Sequence, residues 1–463
     1  MKKSALRVVA LVGLLLAGLF ALVTALRVGS APGVDIRTGL PAIGVSTPLT
    51  VALRAPGRGL GHVRVELIQG DRAQLVAERA HRPLPNWSFF GERVEADEIQ
   101  IAVGSATVAG LRQGEATIRV TAARAGTWLL HPAPVVSEAT LPVRLVPPQL
   151  SVLSAQHYVS QGGAGVVVYR AGESSLRDGV LSGTWFFPGA RLEGNGDGER
   201  FALFGVPWDA VDDSQLRLVA EDDAGNRSEV AFVDRFFPRP PSRDRITLDD
   251  AFMARVLPEI QTRTPGLTDR GDLLENYLEV NRDLRQQNAL ELVELAQRSA
   301  PRFLWSEPFL PFPNAKVMSS FADQRTYVYA GRDVDHQVHL GYDLASVARS
   351  PVPAANRGVV RMAAYFGIYG NAVVLDHGYG LMTLYAHLSS LDVSEGAEVE
   401  RGDVLGRTGA TGLAGGDHLH FTTLVGGLPV NPTEWWDPAW IRERVARKLG
   451  PALPFAKRDG GGS

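Results

Sequence analysis

Three short stretches decide how this chain is read: His339-Leu340-Gly341-Tyr342-Asp343, Tyr385-Ala386-His387-Leu388 and His418-Leu419-His420. The protein has 10 histidines, and the six at 336, 339, 377, 387, 418 and 420 fall inside one short window. Side chains alternate across a strand, so period-two spacing predicts His339 and Asp343 on one face and His418 with His420 on one face of another strand. Three nitrogen or oxygen donors with an open fourth position are what a mononuclear catalytic zinc requires. Two further imidazoles beside such a site can serve as base and as electrostatic stabiliser. His336 is an odd number of residues from His339, so a straight strand turns it away. His377, in Asp376-His377-Gly378, reads as a structural polar contact before a hairpin turn.

The residues between these stretches are equally distinctive. They run Gly367-Ile-Tyr-Gly-Asn-Ala-Val-Val-Leu-Asp-His-Gly-Tyr-Gly380, then Thr383-Leu-Tyr-Ala-His-Leu388. Gly396, Gly402, Gly406, Thr411-Gly412, Gly416-Asp417-His418-Leu419-His420-Phe421 and Asn431-Pro432 follow. From about Asn314 to Trp436 the chain resembles the lysostaphin-type (LytM-like) zinc metallopeptidase family. That resemblance implies an antiparallel β catalytic domain of the duplicated hybrid motif type. It implies His339, Asp343 and His420 as ligands of Zn2+, His387 and His418 as the catalytic pair, and Asn371 and Tyr385 as substrate-binding residues lining the cleft. One departure is visible in Ser319-Ser320-Phe321-Ala322-Asp323-Gln324-Arg325, where Ala322 stands in place of the family's usual glycine and the spacing to Arg325 is longer. No His-Glu-x-x-His motif is present, so the base is not the glutamate of the helical zinc proteases.

Composition narrows the alternatives. The 463 residues carry 47 basic and 50 acidic side chains, net −3, which excludes the strongly basic footprint of a nucleic-acid binder. Zero cysteines remove disulfides, thiolate zinc fingers, iron–sulfur clusters and cysteine nucleophiles together. Any metal must be held by His, Asp and Glu.

The fold class expected is mainly β. Met1-Lys2-Lys3 and Arg7 precede an uncharged run from Val8 to Leu26, about 28 Å as a helix and so close to the thickness of a bilayer core. Residues 1–30 therefore read as an anchor, in preference to a cleaved signal segment, with the N-terminus inside and the remainder exported. Short alternating runs such as Leu49-Thr-Val-Ala-Leu53 and His62-Val-Arg-Val-Glu-Leu67 predict a β-sandwich over 35–146. After Pro147-Pro148 a second sandwich, 147–238, ends in a strand–turn–strand that resembles bacterial immunoglobulin-like domains, with Trp87, Trp185 and Trp208 read as core or interface residues of the pair. A helical linker is expected over 245–300, opening at Thr247 and interrupted at Pro258, with a second helix from Asp269 or Asp272 towards Arg298. The catalytic domain spans 305–446 and a disordered tail 450–463. The linker reads as a spacer, or as a cover for the cleft.

The function implied is hydrolysis of peptide crosslinks in peptidoglycan by a zinc endopeptidase on the outer side of the cytoplasmic membrane. The alternative is a non-catalytic envelope protein that binds or activates other wall hydrolases, and an envelope regulatory protein is a further partner class.

Overall fold

Alternation of apolar and polar residues shapes the first of two compact units, Met1–Pro148 with the short pieces Ser174–Leu176 and Glu221–Ser228. The computed structural model describes residues 2–193 and 198–453. In Thr47–Arg54 the side chains of Leu49, Val51 and Leu53 are buried, and in His62–Gln69 those of Val63, Val65 and Leu67. Two antiparallel sheets meet on these faces. One holds Gly33–Thr38, Thr47–Arg54 and Ala96–Val103; the other holds Arg72–Ala80, His62–Gln69, Gly114–Ala122 and Val135–Val143. Each fully buried Val, Leu or Ile here contributes about 1.5–3 kcal/mol relative to exposure. Ahead of the sandwich runs a helix, Lys2–Leu26, whose Ser4–Leu26 portion is long and apolar enough to cross a membrane. Trp87, expected in a core or an interface, is not in the core: 64% of its surface is exposed.

The second unit comprises Gln149–Glu173, Arg177–Ala220 and Glu229–Ser463. Its sandwich is built differently. Gly165-Val166-Val167-Val168-Tyr169 is buried on both faces of the strand Ala164–Ala171, a continuous apolar run where the first sandwich alternates. The second face is covered by the C-terminal domain: Val166, Phe204, Phe309, Trp435 and Leu449 belong to one hydrophobic core. Polar contacts accompany it. Asn431 N–H donates to Gly162 O (2.7 Å), Ala164 N–H to Glu434 Oε2 (2.8 Å), and Lys448 Nζ to Val166 O (2.9 Å). Trp185 and Trp208 pack against the same core.

The segment read as a linker is knitted into the C-terminal domain. Thr247, expected to open a helix, instead closes the strand Ser242–Thr247, which pairs in parallel with Asp323–Tyr329. The helix is Asp250–Arg263, because the Asp249 carboxylate accepts the Phe252 N–H and caps it. Pro258 lies inside this helix and does not interrupt it. It removes one backbone donor, but Met253, Val256, Leu257 and Ile260 are buried along the same face and hold the helix down. Asp272 then caps Leu273–Glu279, which continues through a π turn, Val280–Leu284, into Arg285–Gln297.

The main sheet of the C-terminal domain runs, edge to edge, Lys316–Ser319, Tyr342–Ala345, Leu419–Val425, Leu381–Leu388, Asn371–Gly378, Gly358–Tyr365 and Glu398–Val399. Its neighbouring pairs are antiparallel. One face carries Leu375, Tyr385 and Phe421 into the core shared with the sandwich. The other packs Val374, Leu384 and Leu424 against Leu292 and Leu295 of the last helix. Where a disordered tail was expected from 450, Gly450–Ala452 form a 3-10 turn and Leu453 is buried. Residues 454–463, the rest of that expectation, lie outside the described residues.

Candidate metal centre

His339 ends the strand Arg332–His339, and Asp343 lies in the next strand, Tyr342–Ala345, in a different sheet. The two do not share one strand face, as their spacing suggested; the chain breaks at Leu340-Gly341 and turns Asp343 back towards His339. Asp343 pairs across the ladder with His420 of Leu419–Val425. Gly341 is required at the break, because a Cβ there would stand 2.6 Å from the His420 ring and from Thr422 Oγ1. The carboxylate and two imidazoles consequently meet. His339 Nε2 is 3.0 Å from Asp343 Oδ1, His420 Nδ1 is 2.9 Å from the same oxygen, and the two nitrogens are 3.1 Å apart.

Proton placement shows what this triangle needs. Ser320 O can only accept, so His339 donates Nδ1–H to it (3.0 Å), which in the neutral ring leaves Nε2 bare. The Thr422 hydroxyl donates to Leu340 O (3.0 Å), so it accepts the Nε2–H of His420 (3.0 Å) and leaves the His420 Nδ1 bare. Burial holds His420 down at about 4, which keeps it neutral. With both rings neutral, two bare nitrogens and a carboxylate oxygen point at one another. A cation resolves that repulsion. Tetrahedral bonds of about 2.0–2.2 Å give donor separations of about 3.3 Å, near those observed, and a nitrogen–oxygen set without thiolate matches a catalytic zinc.

Asp343 is fixed from behind. Arg325 Nη2 donates to its Oδ2 (3.0 Å), leaving Oδ1 for the triangle. Burial raises the Asp343 carboxyl, but the surrounding imidazoles of His339, His418 and His420 outweigh it and hold the group well below its usual range. Arg325 reaches this place although the preceding turn departs from the family pattern. Ala322 takes a left-handed conformation (φ 66°), and the Asp323 carboxylate accepts the Ser320 N–H and hydroxyl, 2.8 Å each, closing the turn.

His387 and His418 stand beside the triangle, their rings 4.9 Å apart, with His387 5.8 Å from His420. His387 donates Nδ1–H to Thr411 O (2.8 Å) and His418 donates Nδ1–H to Gly416 O (2.8 Å), so each presents Nε2. Burial, then the charges of His418 and His420, depress the His387 imidazole well below its usual value. Burial also opposes the charging of His418, but the hydrogen bond and charge of Asp343 raise it. Period two alone would put His387 on the side of Tyr385, which packs on Phe421. A left-handed backbone at His387 (φ 62°) turns its ring to the His420 side instead. Strain of this kind costs about 1–3 kcal/mol and persists where the surroundings over-determine it.

The two cleft residues expected from the resemblance are placed elsewhere. Tyr385 is 1% exposed, and its hydroxyl accepts the Ala355 N–H and bonds Thr383 Oγ1 inside the core, so it does not line the cavity. Asn371 is half-buried and donates Nδ2–H to Leu388 O (3.0 Å), bracing the residue next to His387. His336 is exposed and points away, while His377 is fully buried.

The histidine cluster opens into a cavity of about 380 Å³. Part of its wall comes from outside the domain that carries the histidines: Leu248, Phe252, Tyr277 and Arg285. Arg285 is held by Asn281, through both the carbonyl (3.0 Å) and the side-chain amide oxygen (2.6 Å). Asn281 is itself buried and donates to Asp335 (2.7 Å). Asn288 accepts the Ile368 N–H (3.1 Å), and Arg255 donates to the carbonyls of Ala414 (3.3 Å) and Gly415 (3.2 Å), so the helices grip two loops beside the cavity. Sequence reasoning treated these helices as a spacer or a cover. The i, i+4 pair Asn281–Arg285 was legible, but nothing in it told which way the pair would face.

Residues 337–432 match the profile of Peptidase family M23. The DD-carboxypeptidase/endopeptidase Mpg of Neisseria meningitidis is 44% identical over 96 residues, 21% of this chain and 22% of that protein. The peptidoglycan DD-endopeptidase ShyA of Vibrio cholerae is 32% identical over 163 residues, 35% of each. Among solved structures, a zinc containing peptidase from Vibrio cholerae is 32% identical, covers 28% of this chain and 39% of that one, and superposes with a TM-score of 0.25. The chain thus spans about a fifth to a third of the length of these curated relatives. The five histidine and aspartate positions all lie within the stretch that matches the Peptidase family M23 profile.

Proposed function

We propose that this protein is a zinc-dependent endopeptidase that hydrolyses peptide crosslinks of peptidoglycan. The observation that carries the reading is the convergence of His339 Nε2 and His420 Nδ1 on Asp343 Oδ1, which calls for a cation, beside the imidazoles of His387 and His418. When bound, zinc supplies a Lewis acid for the scissile carbonyl. The rest falls to the chain. A neutral imidazole, His387 or His418, accepts the proton of the attacking water at Nε2 and returns it to the leaving amine. The other donates to the oxygen on which charge builds up. The peptidoglycan substrate is supported by the relatives named DD-endopeptidase. An apolar N-terminal helix agrees with an N-terminus inside and a catalytic domain on the wall side. All five site residues are intact, which disfavours a non-catalytic regulator.

The test is digestion of purified crosslinked muropeptides by the full chain, with products identified by mass spectrometry. Cleavage at a crosslink is expected, lost with a chelator, restored by zinc and absent from His420→Ala. Undiminished cleavage by a metal-free His420→Ala protein ends the reading.

A further inference from the structure

The first sandwich displays large apolar side chains where a soluble domain has no use for them. Trp87 is 64% exposed, Phe90 89%, Trp128 69% and Leu129 54%. All four sit on two loops, between the strands Arg72–Ala80 and Ala96–Val103 and between Gly114–Ala122 and Val135–Val143. Both loops leave the same end of the sandwich, because Arg54 pairs with Ala96, His62 with Ala80 and Ala122 with Val135.

That end is also where the apolar helix arrives. Asn86 Nδ2 donates to Thr24 O (3.0 Å) and Thr127 Oγ1 to Ala25 O (2.6 Å), while Arg58 Nη1 bonds both Arg27 O (3.0 Å) and Gly126 O (2.7 Å). The Arg27 guanidinium lies 4.2 Å above the Phe89 ring, and Phe20 packs beside that ring at 6.5 Å. The helix end and the two aromatic loops therefore form one body. If Val8–Leu26 fills the hydrocarbon core, Arg27 marks its far boundary, and the loops strapped to Thr24–Arg27 lie at that depth. Trp and other aromatic rings are favoured at this boundary, where an apolar body meets hydrated headgroups.

We propose that Trp87, Phe90, Trp128 and Leu129 insert into the headgroup region of a phospholipid bilayer and seat the first sandwich upright on the leaflet from which the helix emerges. The strands then lead away from the membrane. The Gly70-Asp71 turn, beyond the strand His62–Gln69, stands about 23 Å further out, at about 3.3 Å per residue. The proposal rests on the reading of Lys2–Leu26 as a membrane span, and adds to it a surface that touches lipid.

The absence of native cysteine makes the test direct. Phe90→Cys, Trp128→Cys and, as control, Asp71→Cys are each labelled with an environment-sensitive fluorophore. The full chain is reconstituted in vesicles of phosphatidylethanolamine and phosphatidylglycerol. A blue shift with quenching by headgroup-region spin-labelled lipid is expected at positions 90 and 128 and not at 71. Equal, water-like emission at all three positions in a chain that floats with the vesicles overturns the seating while leaving the span intact. A blue shift that follows protein density and not lipid quenching identifies a second copy of the chain as the occupant and also overturns it. A chain that does not float with vesicles overturns the span and the seating together.

Discussion

Two buried polar clusters lie on the main sheet of the C-terminal domain, and only one has donors and acceptors left over. Around Asp376 and His377, both 0% exposed, the groups are matched within the chain. Asp376 accepts from Ser299 Oγ (2.6 Å), Ala300 N–H (2.9 Å), Gly378 N–H (2.9 Å) and Arg361 (2.7 Å). His377 Nδ1 donates to Arg357 O (2.7 Å), and its Nε2 pairs with Thr383 Oγ1 (2.8 Å), which in turn bonds the Tyr385 hydroxyl. At the other cluster His339 and His420 are buried and Asp343 partly so, yet three of their lone pairs face one another. Burial of polar groups is not the mark of function. The mark is a surplus of one kind of hydrogen-bonding atom, which only something from outside the chain can neutralise.

The largest expected difference between the clusters is catalytic. His387→Ala should lower kcat for crosslink hydrolysis by about 10²–10⁴-fold, as loss of a general acid–base group does, with zinc content unchanged. The same exchange at His377 should leave zinc bound in every folded molecule. Metal analysis of both variants decides: loss of zinc in His377→Ala and not in His420→Ala would invert the comparison.

The next effect is on stability and runs with pH. Burial holds His377 at about 4, below the ordinary histidine value near 6.5. A group whose folded value is depressed favours the folded state above its unfolded value, and that contribution disappears as pH falls through the folded one. His377 should therefore destabilise the fold progressively from about pH 6.5 down to about pH 4, by about 3 kcal/mol. His377→Gln is less stable at pH 7, and its deficit relative to the native chain should shrink over that window in denaturant titrations. A deficit that stays constant removes His377 from the account.

The smallest effect belongs to the support of the metal cluster. Arg325→Met frees Asp343 Oδ2 from its only guanidinium partner among the described residues, and should weaken zinc binding by about 10–100-fold without removing a ligand. Competition with a chelator of known affinity measures it. An unchanged affinity would mean that the ladder pairing with His420 suffices to orient Asp343.

The same contrast separates what was legible in the sequence from what was not. Part of the chemistry was legible in residue types at short spacing, His-x-His in one strand and no thiol anywhere, and the family resemblance supplied the ligand and catalytic roles. The first sandwich was legible for the same reason, since period-two burial is local. The cleft position of Tyr385 was implied by the resemblance alone; its side chain packs on Phe421 in the core, while the left-handed backbone at His387 turns that ring to the other side. The helices were read as a spacer because their buried face is visible in sequence but its partner is not.

By itself, then, the sequence determined the residue types open to a metal site (imidazole and carboxylate, no thiol), the alternation of the first sandwich and the apolar helix; which residues form the site was implied by the family resemblance. The tertiary structure decided the rest. It brought His339 and His420, 81 residues apart, to 3.1 Å, joined the second sandwich to the core of the C-terminal domain, and set Tyr277 and Arg285 in the cavity wall. Those outcomes follow from which faces bury against which, and that depends on contacts between distant parts of the chain that no short window of residues contains.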